Sequence, residues 1–385
     1  MRRRAAAALL GAALLAACAG ARAQHAHGGL GASAAFDAQG RLWAAYRHQG
    51  RVAGRASEDL GASWSEPRFA SPEGEPVAAD GDARPRIATA PGGRVYVTWT
   101  RPLSRPYTGE IRFARSVDGG HSFSEALTVH TDRQEITHRF DALTVLPDGQ
   151  VVVAWIDKRD LEAARARGEA YRGAAVYAAA SADGGASFAR DFKVADHSCE
   201  CCRLALLPRA DGSIAMLWRH VFEPDIRDHA LASFRPDGQV QPLRRATFDD
   251  WRVDACPHHG PSLAEDAQGR LHAVWFTLGP RAPGVHYGRL VEGGVEAGRR
   301  VGGEDAAHAD IAVTGMRVAV AWKGFDGSRT WLRALLSEDG GEHWQELALD
   351  ATEGASDQPR VLTHDGRFFV FWHTRERALG VWRLP

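Results

Sequence analysis

Seven times along the chain, a turn containing glycine opens a run of alternating apolar residues that ends in an aromatic ring. The runs are Gly40-Arg-Leu-Trp-Ala-Ala-Tyr46, Gly93-Arg-Val-Tyr-Val-Thr-Trp99, Gly149-Gln-Val-Val-Val-Ala-Trp155, Gly212-Ser-Ile-Ala-Met-Leu-Trp218, Gly269-Arg-Leu-His-Ala-Val-Trp275, Gly315-Met-Arg-Val-Ala-Val-Ala-Trp322 and Gly366-Arg-Phe-Phe-Val-Phe-Trp372. Period-2 apolar spacing predicts strands, and Asp-Gly or Gly-Gly beside them predicts hairpin turns. The terminal aromatics recur every 47 to 63 residues. A period of that size marks a repeat architecture, with one small sheet per unit.

A second phrase, Ser-x-Asp-x-Gly-x-x-aromatic, recurs between these runs. It reads Ser57-Glu-Asp-Leu-Gly-Ala-Ser-Trp64, Ser116-Val-Asp-Gly-Gly-His-Ser-Phe123, Ser181-Ala-Asp-Gly-Gly-Ala-Ser-Phe188 and Ser337-Glu-Asp-Gly-Gly-Glu-His-Trp344. The phrase resembles the Asp-box, or BNR repeat, of sialidase-like β-propellers. The resemblance implies an all-β propeller of four-stranded blades, each unit reading as strands A, B, C and D with the box as the C–D turn. In blade 2 the expected strands are 86–89, 94–100, 111–116 and 123–129. Seven units are counted, and six blades, as in the classical sialidases, is the alternative. The seventh unit stops at Val381-Trp-Arg-Leu-Pro385 without a D strand. An open ring would leave a sheet edge unpaired, so residues 24–32 are expected to supply that strand. The box is expected to be a structural turn, its Asp accepting hydrogen bonds from following amides. The terminal tryptophans are expected in the core.

The composition of the 385-residue chain, 44% hydrophobic and 25% charged, is that of a globular protein, and its net charge of −1 argues against a nucleic-acid surface. Arg2-Arg3-Arg4 followed by the apolar stretch Ala5 to Ala17 reads as a signal peptide over residues 1–23, too short to span a bilayer. Leu15-Ala16-Ala17-Cys18 resembles a lipobox with Cys18 as the lipidated residue, and Ala21-Arg22-Ala23 is an alternative cleavage site. The expectation is one exported propeller over residues 24–385. It would be a periplasmic monomer, attached to the outer membrane only through a lipid anchor, or secreted.

Cys199, Cys201, Cys202 and Cys256 remain after the signal. On the repeat map all four fall in D–A connections: Cys199-Glu-Cys201-Cys202-Arg203 leads into blade 4, and Cys256-Pro-His258-His259-Gly260-Pro261 into blade 5. Neighbouring D–A segments reach the same end of the ring. Disulfides stapling the two segments are one reading, since an exported compartment permits them. A copper or zinc site using these cysteines with His258 or His259 is another, thiolates suiting soft ions. Free or redox-active thiols are the third. The paired Cys-x-Cys-Cys-Arg and Cys-Pro-x-x-Gly-Pro segments look like a group of exported bacterial sialidase-like proteins.

In sialidases the chemistry lies on the face built from D–A and B–C loops, and uses an arginine triad, a Tyr nucleophile paired with Glu, and an Asp acid/base. Arg84, His138, Arg139, Arg203, Arg219 and Arg360 are the ligand-binding candidates on that face here, with Asp141, Tyr107 and Asp310 as weaker catalytic ones. Arg84-Pro-Arg-Ile87 has the residue types of the family's Arg-Ile-Pro signature in another order, and no tyrosine follows Tyr287. The resulting expectation is a glycan-directed protein, either a divergent glycoside hydrolase or a carbohydrate-binding module. An envelope metal-handling protein and an interaction scaffold are the alternatives.

Overall fold

The computed structural model describes residues 29–385, which form seven antiparallel sheets arranged as the blades of a propeller. The six-bladed alternative is thereby corrected. Innermost strands start at Ala32, Arg86, His138, Ala205, Ser262, Ala306 and Arg360, and each touches the next around the ring, the last touching the first. The signal segment, Cys18 and residues 24–28 of the stretch expected to close the ring lie outside the described residues.

The B strands are the runs from which the blades were counted, and they are buried on both faces. Val151–Asp157 is buried at every position. Each B strand lies between its A and C neighbours, and both of its faces pack on adjoining blades, so the near-continuous apolar stretches are what the packing requires. Seven hydrophobic clusters fill the seven wedges between blades. Trp99, Trp155, Trp218, Trp322 and Trp372 are fully buried in them.

The Asp-boxes behave as structural turns and also join blades. Ser122 N donates to Asp118 Oδ1 at 3.0 Å, and Gly120 N donates to Ser116 Oγ at 2.8 Å. Gly120 has φ +81°, and a Cβ there would sit 2.1 Å from Cη2 of Trp43 in blade 1. The corresponding Gly185 and Gly341 press on Phe113 and Tyr287 of the preceding blades. The box glycine therefore lets each C–D turn close onto its neighbour.

One strand needs correction, and the expected closing strand is described only from Gly29 onward. The D strand of blade 2 spans only Leu127–Thr128, because little of that edge pairs. Blade 7 has three strands among the described residues, ending at Ala378–Arg383. Ala32 does not extend that sheet but opens the A strand of blade 1, Ala32–Phe36. Among the described residues, blades 7 and 1 are joined near the axis and in the wedge between them. Ala32 N donates to Asp357 Oδ2 at 2.8 Å, and His373 Nδ1 lies 2.7 Å from Leu30 O. The blade 1 box covers Val381 on the outer strand, leaving no room for a Cβ at Gly61.

Candidate functional site

Polar side chains from the D–A lead-ins to blades 2, 4 and 7 meet one another beside the innermost strands. Arg203 reaches furthest. Its guanidinium donates to Pro261 O (2.9 Å), Ala309 O (2.6 Å) and Gln358 Oε1 (3.1 Å), and stands 3.6 Å from Asp82. One side chain thus ties blade 4 to blades 2, 5, 6 and 7. Gly260 makes this approach feasible, since a Cβ there would fall 2.2 Å from Arg203 Cγ. Burial works to raise the Asp82 carboxyl, but Arg203 and Arg84 outweigh it and hold the group well below the usual carboxylate range.

Beside this knot lies a cavity of about 180 Å³ lined by Arg86, Arg203 and Arg360 together with Leu143, Leu206 and Leu263. Arg86 donates to the carbonyls of Asp141 and Asp82. Arg360 stands 3.5 Å from Asp310, and its Nη2 is buried without a hydrogen-bond partner. Burial, then repulsion from Arg360 and Arg84, pushes Arg86 down to about 9. Burial, then Arg360, pushes Arg203 down to about 10. The lining is therefore rich in positive charge, and an anion placed there would relieve it.

The other candidates are placed as follows. Arg84 is fully buried and paired with Asp357 at 2.8 Å. Arg219 donates to the carbonyls of Arg227, His259 and Phe276 and lies over Trp251, so it joins blade 4 to blade 5. His138 is buried against the ring of His130 at 3.9 Å, its Nδ1 3.0 Å from Gly109 O. The Arg139 guanidinium covers the Phe140 ring. Burial raises the Asp141 carboxyl above its ordinary value, and Thr98 Oγ1 donates to it at 2.5 Å. Asp310 Oδ2 accepts from Val361 N. Tyr107 is 76% exposed, and no hydrogen bond joins it to Asp141 or Asp310. Arg203 and Arg360 are thus brought together at the cavity, where Arg86 joins them. Asp82 and Gln358 were missed as partners. Their signal is the repeated lead-in Arg84-Pro-Arg86 and Gln358-Pro-Arg360, which sets an arginine at the first position of two innermost strands.

The cysteine segments converge as the repeat map required. Cys199, Cys201 and Cys202 are buried, with Sγ–Sγ separations of 3.8, 3.9 and 3.9 Å. All four cysteines are free thiols. The disulfide reading is corrected, since a bond needs sulfurs about 2.05 Å apart. Cys256 and His258 are exposed and come within 4.8 Å of Cys201. His259 stands apart in a stack with Phe276 and His308, and burial pushes it down to about 4.

No family model matches the chain. No curated protein matches it either. Among solved structures it is similar to an ulvan lyase bound to -[GlcA(1-4)Rha3S]-, with TM-score 0.54, 12% identity, and 91% and 90% of the two chains covered. An α-L-arabinofuranosidase of Fusarium graminearum in complex with an iminosugar inhibitor gives TM-score 0.54, 13% identity, and 82% and 96% coverage. The α-L-arabinanase of Penicillium chrysogenum complexed with arabinobiose gives 0.52, 16%, and 78% and 92%. At these identities the likeness establishes the propeller fold, shared with carbohydrate-active enzymes.

Proposed function

We propose that this is an exported carbohydrate-binding propeller that takes an acidic saccharide, carboxylated or sulfated, at the axial arginine site. The observation that carries the reading is three guanidiniums around one cavity, with an Arg360 donor left unpartnered. Arginine's planar fork is suited to carboxylate and sulfate oxygens. The apolar sides of Leu143, Leu206 and Leu263 offer contact for a sugar ring. A cavity of about 180 Å³ has the volume of about six waters, which suits one sugar unit of a longer chain.

The likeness to saccharide-bound propellers supports a glycan as the ligand class, and the ulvan lyase complex supports an acidic one. Binding is favoured over hydrolysis because Asp141 and Asp310 are held by Thr98 and Val361 N. Calorimetry with uronate-containing, sialylated, sulfated and neutral oligosaccharides tests the reading. Acidic ligands are expected to bind, neutral ones to bind at least tenfold more weakly, and Arg360→Ala to lose the difference. Equal binding of neutral and acidic ligands, or none, would overturn it.

A further inference from the structure

The axial arginines leave the thiol cluster unexplained. We propose that Cys199, Cys201 and Cys202 form a buried three-coordinate site for a soft monovalent metal ion, Cu(I), with Cys256 and His258 as the exposed pair through which the ion arrives. The geometry of the sulfurs is the first argument. Their triangle is nearly equilateral, so an ion at its centre would lie about 2.2 Å from each sulfur, close to ordinary metal–thiolate lengths of about 2.3 Å.

The local fold explains why the triangle is held. Cys199 directly follows the outer strand Phe192–Ser198 of blade 3, and its amide donates to Arg219 O at 2.9 Å. Directly after Cys202, the amide of Arg203 donates to Asp82 Oδ2 at 3.0 Å. The short run of three cysteines is thus anchored at both ends, and its thiols turn into the apolar wedge between blades 3 and 4 with Phe140, Leu204 and Trp218. A site built in advance on fixed backbone binds without an ordering cost.

Charge and coordination number favour Cu(I) over Zn(II). Three thiolates around a monovalent ion leave buried negative charge, which requires a cation nearby. Arg227 Nη1 supplies one, 3.6 Å from Cys199 Sγ. Structural zinc takes four ligands in a tetrahedron, whereas the buried donor group has three members. Cys201 belongs both to that group and to the exposed group with Cys256 and His258. An ion bound at the surface could therefore pass inward by exchanging ligands around one shared sulfur.

The test uses the full mature chain, reduced and handled without oxygen, with Cu(I) supplied from a coloured Cu(I) chelator. One Cu(I) per chain is expected to be withdrawn. Since the three cluster thiols are already buried in the fold, protection is read in denaturant, where loading is expected to slow alkylation of three of the four thiols relative to the metal-free chain. Cys202→Ser should weaken retention at least tenfold, with the near-ultraviolet signature of the buried tryptophans checking its fold. Cys256→Ser, an exposed position, should keep one Cu(I) per chain but take it up severalfold more slowly. Removing the nearby charge with Arg227→Ala should weaken retention about tenfold, as outer-shell changes do. The proposal is overturned if the wild-type chain withdraws no Cu(I), if loading leaves alkylation of all four thiols in denaturant as fast as in the metal-free chain, or if folded Cys202→Ser retains the ion as wild type does. Should Cys202→Ser not fold, the alkylation pattern of the wild-type chain decides alone. None of these readouts depends on saccharide binding.

Discussion

A single hydrogen atom in place of a side chain decides whether two blades meet at Gly120. Its φ of +81° and the 2.1 Å approach to Trp43 act together. Gly120→Ala should therefore cost about 3 kcal/mol or more, backbone strain adding to overpacking. Gly149 has φ +87° but nothing within 4 Å of a Cβ, so Gly149→Ala should cost only about 1 to 2 kcal/mol. Urea unfolding of the two variants separates the terms, and equal losses would contradict the inter-blade role of the box. The Ser-x-Asp-x-Gly pattern made the turn legible in sequence, but it could not show what the glycine faces, because Trp43 lies 77 residues earlier. The buried histidines add a pH dependence. Burial, then the charge of His138, holds His130 down to about 3, and burial, then Arg219, holds His229 well below its ordinary value. Both stay neutral in the fold, while the unfolded chain takes up protons below about pH 6.5. Stability is therefore complete above that pH and falls as pH drops toward the folded values, by up to about 1.4 kcal/mol per pH unit for each histidine. Denaturant midpoints should be lower at pH 5 than at pH 7, and an unchanged midpoint would contradict the assignment.

The individual strands differ in how far sequence could define them. The B strands are legible because both faces are buried, so every position from Val151 to Ile156 carries an apolar side chain, and only the buried Asp157 at the end is polar. Outer strands pair on one side only, and Arg68–Phe69 and Leu127–Thr128 leave almost no periodic signal. The Asp-box turn is what fixes the C–D connection where the D strand is short. Hydrogen bonds from Ser122, then from Ser116, hold the Asp118 carboxyl far below its usual range. Asp118→Ala should leave strand content unchanged by far-ultraviolet dichroism, yet speed amide exchange at Ser122 and alter the fluorescence of Trp43. Unchanged exchange at Ser122 would mean that the turn is held by its glycines alone. The thiol convergence was legible for a related reason: counting blades placed Cys199 and Cys256 in adjacent D–A segments. The free state of the thiols was not, since sulfur separations follow from anchors such as the Asp82 carboxylate, 121 residues from the Arg203 amide it holds.

For the whole molecule, the unsolved problem in the sequence was how seven sheets close when the last has three strands among the described residues. Among the described residues, a buried carboxylate joins the last blade to the first two. Asp357, from the lead-in to blade 7, accepts from Ala32 N in blade 1 at 2.8 Å and pairs with Arg84 of blade 2, also at 2.8 Å. These partners lie 325 and 273 residues away, so no local pattern could reveal them, and Arg84 was accordingly read as a ligand-binding candidate. Arg84 is fully buried, and burial lowers its pKa while Asp357 acts to raise it. Removing the carboxylate would strand a buried guanidinium at the seam, so Asp357→Ala should cost about 3 to 5 kcal/mol. Replacing both partners with apolar residues, Arg84→Met with Asp357→Leu, removes the stranded charge. The double variant should therefore recover a large part of that loss in urea unfolding. Hydrogen exchange should locate the damage of the single variant in blades 1 and 7, with Val151–Asp157 in blade 3 still protected. Uniform loss of protection around the ring, or a double variant no better than the single one, would mean that closure is carried by the apolar wedge of Ala32, Tyr46 and Phe371 and not by the ion pair.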